Sequence, residues 1–226
     1  MNPQYLFMGT ADTLLETFWF LADSNNYFSY MFYGCKNLTS VPEFNTSSVT
    51  SMRYMFYQCS NLTSVPAFNT SNVTSMDYML YGCTSITSIP ELDTSKVSNF
   101  NSFLYSNSKL KTIEGISFKS FTASTMSADY FFGYQRCDSV KKAVFKDIGY
   151  QTTAKQFNMS RLTNWGINTD EIPDARQSLI DSLITYSFDR ASAGYPTCTI
   201  TLSTNTKALL TSEEIAQITA KGFVIA

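Results

Sequence analysis

With 226 residues, 44% of them apolar, the chain is long enough to bury a substantial core as one extended domain or two small ones. Its net charge is −2 and its basic residues are scattered, which argues against nucleic acid or an anionic membrane surface as a partner. The sequence shows no stretch of about 20 apolar residues that could cross a bilayer and no visible signal peptide, so we expect no membrane insertion.

A repeat with a period of 24 residues organises the first part of the chain. Tyr30–Arg53 and Tyr54–Asp77 are identical at 19 of 24 positions, and Tyr78–Asn101 keeps the pattern with exchanges among apolar residues. Such a period predicts a stack of about five coils whose terminal copies are degenerate. Degenerate copies are indicated upstream by Leu14, Phe20 and Phe28, and downstream by Phe103, Leu104, Tyr105, Leu110, Ile113 and Tyr130.

Each coil contains the signals of a short strand, a bend and a helical turn. The strand signal surrounds Leu38 and ends at Pro42, which lacks the backbone N–H that a ladder needs. Side-chain oxygens in Asn45–Ser47 suit a tight bend, and a helical turn follows. The strands are expected near Leu38, Leu62, Ile86 and Leu110, and Met55, Phe56 and Cys59 are expected to point inward from the helical turn.

The repeat resembles the BspA-like leucine-rich repeats, in particular the mycoplasmal lipoprotein-associated surface type, whose units read like NTSNVTSMxYMFYGCxxLTSLP. The resemblance is close for residues 30–101 and weaker for 1–29 and 102–150. It implies a leucine-rich-repeat solenoid that serves recognition or adhesion at a bacterial or protist surface, or in a gut bacteriophage, with no family chemistry to carry over.

After Trp165 the repeat stops and signals of helices and strands alternate. Pro173 suits a helix start, 198–202 alternates as a half-buried strand, and Thr211 to Glu214 is a capping box before a last strand at 223–225. The predicted fold class is therefore α/β: a leucine-rich-repeat solenoid of about five 24-residue coils over residues 1–165, with a C-terminal α/β capping region over residues 166–226.

Catalytic and metal-binding groups are sparse. The absence of histidine removes Ser-His-Asp and Cys-His catalysis and every His-ligated metal. Glu43 and Glu91 would lie two coils apart and are interpreted as solvated charges, and no nucleotide-binding motif is present. We therefore expect no catalytic residue, no cofactor, no metal and no enzyme activity. The cysteines, which we expect to be buried free thiols, are Cys35, Cys59, Cys83, Cys137 and Cys198.

Two tyrosine ladders remain as candidate surfaces. The predicted partner-binding ladder consists of Tyr33, Tyr57, Tyr81 and Tyr105. The second ladder consists of Tyr30, Tyr54 and Tyr78, and the next candidate is the strand face with Ser40, Ser64 and Ser88. Tyrosine combines an apolar ring with a polar tip, which suits sugars and protein interfaces, although stacking that stiffens the solenoid is the competing interpretation.

The functional prediction is a non-catalytic recognition module, for adhesion or receptor binding at a cell or virion surface. A structural component of a phage virion or tail is the alternative, and an enzyme of unknown class is a lesser one. The expected partner is a host-surface protein or glycan, and the oligomeric state stays open.

Overall fold

A computed structural model describes residues 28–120, 125–127, 131, 139–148, 156–160, 162–187 and 189–226. The predicted repeat positions Leu14, Phe20 and Tyr130, and the thiol of Cys137, lie outside these residues.

Neighbouring repeats are joined by backbone hydrogen bonds between equivalent segments. The N–H of Tyr54 donates to the carbonyl of Asp77 at 2.9 Å, and that of Phe56 donates to Met79 at 2.9 Å. Between these bonds, the N–H of Tyr57 turns back to the carbonyl of Tyr54 at 3.2 Å. The segment therefore alternates bonds to the next repeat with tight turns inside its own repeat. We call residues 30–101, which are joined in this way, the repeat stack.

The predicted helical turn in each repeat is wrong, because two positions per repeat have left-handed backbone. A positive φ interrupts any α-helix, and a side chain at such a position is strained. In the repeat stack the first position is tyrosine, with φ of 63° at Tyr30, 56° at Tyr54 and 54° at Tyr78, and Ser102 has a φ of 51° one period later. The second has φ of 71° at Gly34, 57° at Gln58 and 72° at Gly82.

The predicted bends are present as Asx turns. The side-chain oxygen of Asn45 accepts from the N–H of Ser47 at 3.0 Å, and that of Asn69 accepts from Ser71 at 3.2 Å. The middle residue of each bend, Thr46 or Thr70, is buried. The Thr46 hydroxyl donates to the carbonyl of Asn69 in the next repeat at 2.9 Å. The bend at Asn45 is thus tied to the next repeat as well as closed on itself, whereas the hydroxyl of Thr70 in the next bend bonds no described group.

The predicted leucine-rich-repeat solenoid of about five coils, with a strand in each, is wrong. Leu38 and Leu62 lie in no strand, whereas the strands expected near Ile86 and Leu110 are present at Ser88–Ile89 and Thr112–Ser117. The described strands form two small parallel sheets, and the first enters the repeat stack only at Ser88–Ile89. Proline explains why strands are missing or short, because Pro42, Pro66 and Pro90 cannot donate a backbone N–H to a ladder.

Where the proline is replaced, a strand forms. Glu114 stands one period after Pro90, and the strand around it is six residues long, against two residues for the strand before Pro90. The strands are β1 (Ser88–Ile89), β2 (Thr112–Ser117), β3 (Thr125–Ser127), β4 (Lys142–Lys146), β5 (Gln156–Asn158), β6 (Cys198–Thr201) and β7 (Phe223–Ile225).

The first sheet has the order β1-β2-β4 and the second β3-β5-β6-β7, all strands parallel. After Trp165 the described helices are α1 (Ala175–Ile180), continued by a π-helical segment (Asp181–Thr185), then α2 (Thr204–Lys207) and α3 (Ser212–Ala220). The predicted capping box is confirmed at the start of α3, where Thr211 and Glu214 bond each other's backbone. The second sheet draws strands from both sides of Trp165, and the division at residues 165/166 stays a prediction.

One continuous apolar core extends from Phe28 to Phe223. The inward positions predicted from the repeat are confirmed, since Met55, Phe56 and Cys59 are fully buried. With the interior filled by these side chains, each repeat exposes its bends, its hydroxyl groups and its tyrosines.

Candidate functional site

The predicted binding ladder exists as a stacked column of four tyrosine rings, which we call the outer column. The ring centroids of Tyr33 and Tyr57 are 4.7 Å apart, those of Tyr57 and Tyr81 are 4.7 Å apart, and those of Tyr81 and Tyr105 are 4.6 Å apart. The ring planes differ by at most 14°. The spacing equals that of neighbouring strands, because the backbone bonds between repeats set it.

A second column, which we call the inner column, lies beside the first. The rings of Tyr30 and Tyr54 stack at 4.7 Å, and those of Tyr54 and Tyr78 at 4.8 Å. Rings of the two columns meet at a tilt, with 5.6 Å between the centroids of Tyr54 and Tyr57. We call the two columns together the tyrosine face. All seven rings are half-buried.

Stacking changes what this face can offer a partner. Each interior ring has both flat faces covered by its neighbours, so a sugar cannot lie flat on Tyr57 or Tyr81. A partner would meet ring edges and a row of hydroxyl groups instead. Stacked aromatic pairs contribute about 0.5–1.5 kcal/mol beyond their buried area, so the columns also support the fold.

In the inner column the Tyr78 hydroxyl has a protein partner, whereas that of Tyr54 bonds no group in the described residues. The Tyr78 hydroxyl accepts its hydrogen bond from the amide of Asn101 at 3.2 Å. Within the part of the chain that the structure describes, the hydroxyls of Tyr33, Tyr57, Tyr81 and Tyr105 bond no protein group. The outer column therefore presents a row of hydroxyls to solvent.

The hydroxyls of Tyr57 and Tyr81 remain protonated at neutral pH. Partial burial raises the pKa of Tyr57 above its usual value, and the neighbouring tyrosines Tyr33 and Tyr81 raise it further. Burial and nearby tyrosines raise the pKa of Tyr81 in the same direction. Each hydroxyl can therefore donate one hydrogen bond and accept others.

A charged pair borders the inner column and was missed by the sequence analysis. The guanidinium Nε of Arg53 lies 3.1 Å from a carboxylate oxygen of Asp77, and its centre lies 5.8 Å from the Tyr54 ring centroid. Asp77 is only 4% exposed and accepts further hydrogen bonds from the Ser75 hydroxyl and the Asn101 N–H, each at 3.1 Å. Aligning the repeats would have indicated this ion pair, because Arg53 and Asp77 occupy the same position in neighbouring repeats, one period apart.

The other predicted positions are not gathered into a site. Ser40 and Ser64 are exposed and Ser88 is half-buried in β1, while Glu91 pairs with Lys146. Glu43 is exposed. Among the described residues no group of three His, Cys, Asp or Glu side chains is placed to hold a metal ion.

The described cysteines have buried free thiols, as predicted, and burial limits their reactivity; they are Cys35, Cys59, Cys83 and Cys198. Cys59 donates to the carbonyl of Phe32 at 3.0 Å, and Cys83 donates to that of Phe56 at 3.1 Å. Burial raises the pKa of Cys83 to about 12 and that of Cys59 also upward. Because the thiolate is the reactive form, these thiols are structural.

None of the helices in the described ranges has the length and apolar character that a bilayer crossing requires. A search of curated proteins and a search of solved structures each found no match. A family model described as "Mycoplasma protein of unknown function, DUF285" matches residues 26–140, just over half of the chain and the part that holds the whole tyrosine face. The chain therefore belongs to this family.

Proposed function

We propose that this protein is a non-catalytic recognition module that acts at a cell or virion surface and binds a host-surface protein or glycan through the tyrosine face. The observation that carries the proposal is the row of outer-column hydroxyls, spaced by 4.6–4.7 Å and bonded to no described protein group. The resemblance of the repeat to BspA-like surface repeats supports the surface location.

The repetition of the hydroxyl row favours a partner that spans several repeats. One repeat adds a single outer-column tyrosine, which is far too small a patch for a specific interface. Affinity must therefore be gathered along the column, and each tyrosine should contribute a similar share.

The test separates the hydroxyl groups from the stacked rings. Tyr57→Phe and Tyr81→Phe remove the hydroxyls and keep the rings, whereas Tyr→Ala would also disturb the stack. The matched control is Tyr54→Phe, which removes a hydroxyl from the inner column. Thermal unfolding of every variant shows whether the fold is retained.

Binding is measured with the labelled chain on a glycan array, and on intact epithelial cells with and without glycosidase treatment. We expect each outer-column variant to weaken binding and the double variant to weaken it further, with Tyr54→Phe close to the parent. Equal loss for outer and inner variants, or no loss at all, would contradict the proposal. If Ser64→Arg abolishes binding and the tyrosine variants do not, the contact surface is the strand face with Ser40, Ser64 and Ser88.

A further inference from the structure

A cleft of about 710 Å³ opens on a different part of the surface. One wall is formed by residues near β1, β2 and β4, among them Thr87, Lys111 and Lys141. The segment 169–172 forms the opposite wall. The volume falls within the range of about 300–1,000 Å³ that small-molecule sites occupy.

The backbone places two lysines side by side on the first wall. The N–H of Lys111 donates to the carbonyl of Thr87 at 2.8 Å, and the N–H of Lys141 donates to that of Lys111 at 3.0 Å. These residues therefore occupy neighbouring rungs of one parallel arrangement, about 4.8 Å apart. Lys109 lines the same wall.

The lysines differ in how they are paired. The ammonium group of Lys111 lies 2.5 Å from a carboxylate oxygen of Glu171 on the opposite wall, and this contact holds the pKa of Glu171 below its usual value. Lys109 and Lys141 form no ion pair or side-chain hydrogen bond with any residue in the described ranges. Two ammonium groups are thus available to a ligand.

The charges of the cleft indicate the charge of that ligand. The lining residues include three lysines and two carboxylates, those of Asp170 and Glu171, which leaves one positive charge in excess. A ligand with one negative charge balances this set, whereas a doubly charged phosphate would place its second charge near the carboxylates.

The remaining lining groups suit a polyhydroxylated ring. Ser108 and Ser139 add hydroxyls beside Thr87, and Asp170, which has no partner among the described residues, can accept hydrogen bonds from ligand hydroxyls. The methylene stems of the lysines provide apolar contact. We propose that this cleft binds a sugar carrying a single carboxylate, with the carboxylate at Lys109 and Lys141 and ring hydroxyls at Asp170.

The probe for the test is methyl β-glucuronide, with methyl β-glucoside as the neutral control, and binding is followed by titration calorimetry and saturation-transfer NMR. We expect the glucuronide to bind with a dissociation constant of about 1 mM or lower, weakening as salt is added, and the glucoside to bind at least about tenfold more weakly. Equal binding of the two sugars, no binding at millimolar concentration, or tighter binding of inorganic phosphate would overturn the proposal.

Variants locate the contact within the cleft. Lys141→Gln and Lys109→Gln should each weaken glucuronide binding about tenfold, because each removes a charge-assisted hydrogen bond. The matched control is Lys96→Gln, since Lys96 is exposed and bonds Asn72 outside the cleft. Lysine variants that bind like the parent would overturn the proposal. Tyr57→Phe should leave glucuronide binding unchanged, so the result is independent of the tyrosine face.

Discussion

The repeat stack, residues 30–101, is held together by contacts that recur every 24 residues, whereas the described residues from 139 to 226 depend on side chains with individual partners. In the first region Cys59 and Cys83 make equivalent bonds to equivalent carbonyls. In the second, buried Arg190 donates to the carbonyl of Pro196 at 2.8 Å, and Trp165 reaches across to β4.

The difference teaches how each region responds to change. A repeated contact can be compared with its own copies, so a natural exception shows what the contact contributes. A contact that occurs once has no such copy, so a mutation that removes it destabilises the protein at that one position without an equivalent for comparison. The following variants test this contrast, from the largest expected effect to the smallest.

Trp165→Ala should lower the free energy of unfolding by about 3–5 kcal/mol, because it empties a fully buried site. The indole N–H donates to the carbonyl of Ala143 at 3.0 Å, and the ring packs against Phe145 with 5.3 Å between centroids. Trp165→Phe keeps the ring packing and should cost less, since mainly this hydrogen bond is lost. Chemical denaturation measures both, and a similar cost for the two variants would contradict the cavity explanation.

Asn107→Cys should raise the free energy of unfolding by about 1–3 kcal/mol, because it removes a buried amide that lacks partners. Asn107 stands one period after Cys83, is 9% exposed, and its side-chain N and O atoms bond no described residue. A thiol there can donate to the carbonyl of Leu80, the position equivalent to Phe56.

The reverse exchange, Cys83→Asn, serves as the control and should destabilise the protein by a similar amount. Denaturation midpoints of both variants check the pair. Stabilisation by both would show that burial of the amide is not what distinguishes the two positions.

Thr94→Val should cost about 1–3 kcal/mol, since it leaves a buried N–H without its acceptor. The Thr94 hydroxyl donates to the carbonyl of Ser117 at 2.8 Å and accepts from the Ser117 N–H at 2.6 Å. Thr70 is equivalent in sequence and buried, but its hydroxyl bonds no described group. Thr70→Val should therefore be neutral or slightly stabilising in thermal unfolding, and an equal cost at both positions would argue against this assignment.

Gln58→Gly should stabilise the protein by about 0.5 kcal/mol, because Gln58 has a φ of 57° where the equivalent residues are Gly34 and Gly82. Gly82→Ala should cost about 1 kcal/mol at its φ of 72°. A Cβ at Gly34 would meet no atom within 4 Å, so Gly34→Ala isolates the backbone contribution. Calorimetric unfolding measures all three, and a destabilised Gln58→Gly would show that the glutamine side chain outweighs its backbone strain.

Much of the local structure could be predicted from the sequence, because it depends on residues close in the chain. The bend at Asn45, the capping box at Thr211 and the inward position of Cys59 are all confirmed. The strands predicted near Ile86 and Leu110 are confirmed, whereas those near Leu38 and Leu62 were predicted wrongly, although Pro42 already indicated that a ladder would be interrupted there. The sequence analysis treated the proline only as the residue that ends a strand. Before Pro42 and Pro66, however, a single backbone hydrogen bond, from Thr63 to Thr39, joins the two segments, and no strand forms.

The sites were harder to predict, because they depend on orientation and on distant segments. The period showed that Tyr33 and Tyr57 would be neighbours, yet it could not show that their flat faces would cover each other. The cleft brings Lys111 into contact with Glu171, and no spacing in the sequence indicates that the segment around residue 171 lies beside the lysines. The second sheet joins β3 to β6 through β5 for the same reason: nothing local selects its partners.

The bonds between repeats also bear on how the gene can change. The side chain of Thr63 donates to the carbonyl of Thr39, and that of Thr74 to the carbonyl of Thr50, each residue thus bonding its own counterpart one period earlier. A repeat copied or removed by recombination between the stretches that encode neighbouring repeats would leave both flanking surfaces complementary. Unequal crossing-over within residues 30–77 could therefore lengthen or shorten the tyrosine face in one step, giving a population of chains whose contact surfaces differ in length while the C-terminal region stays the same.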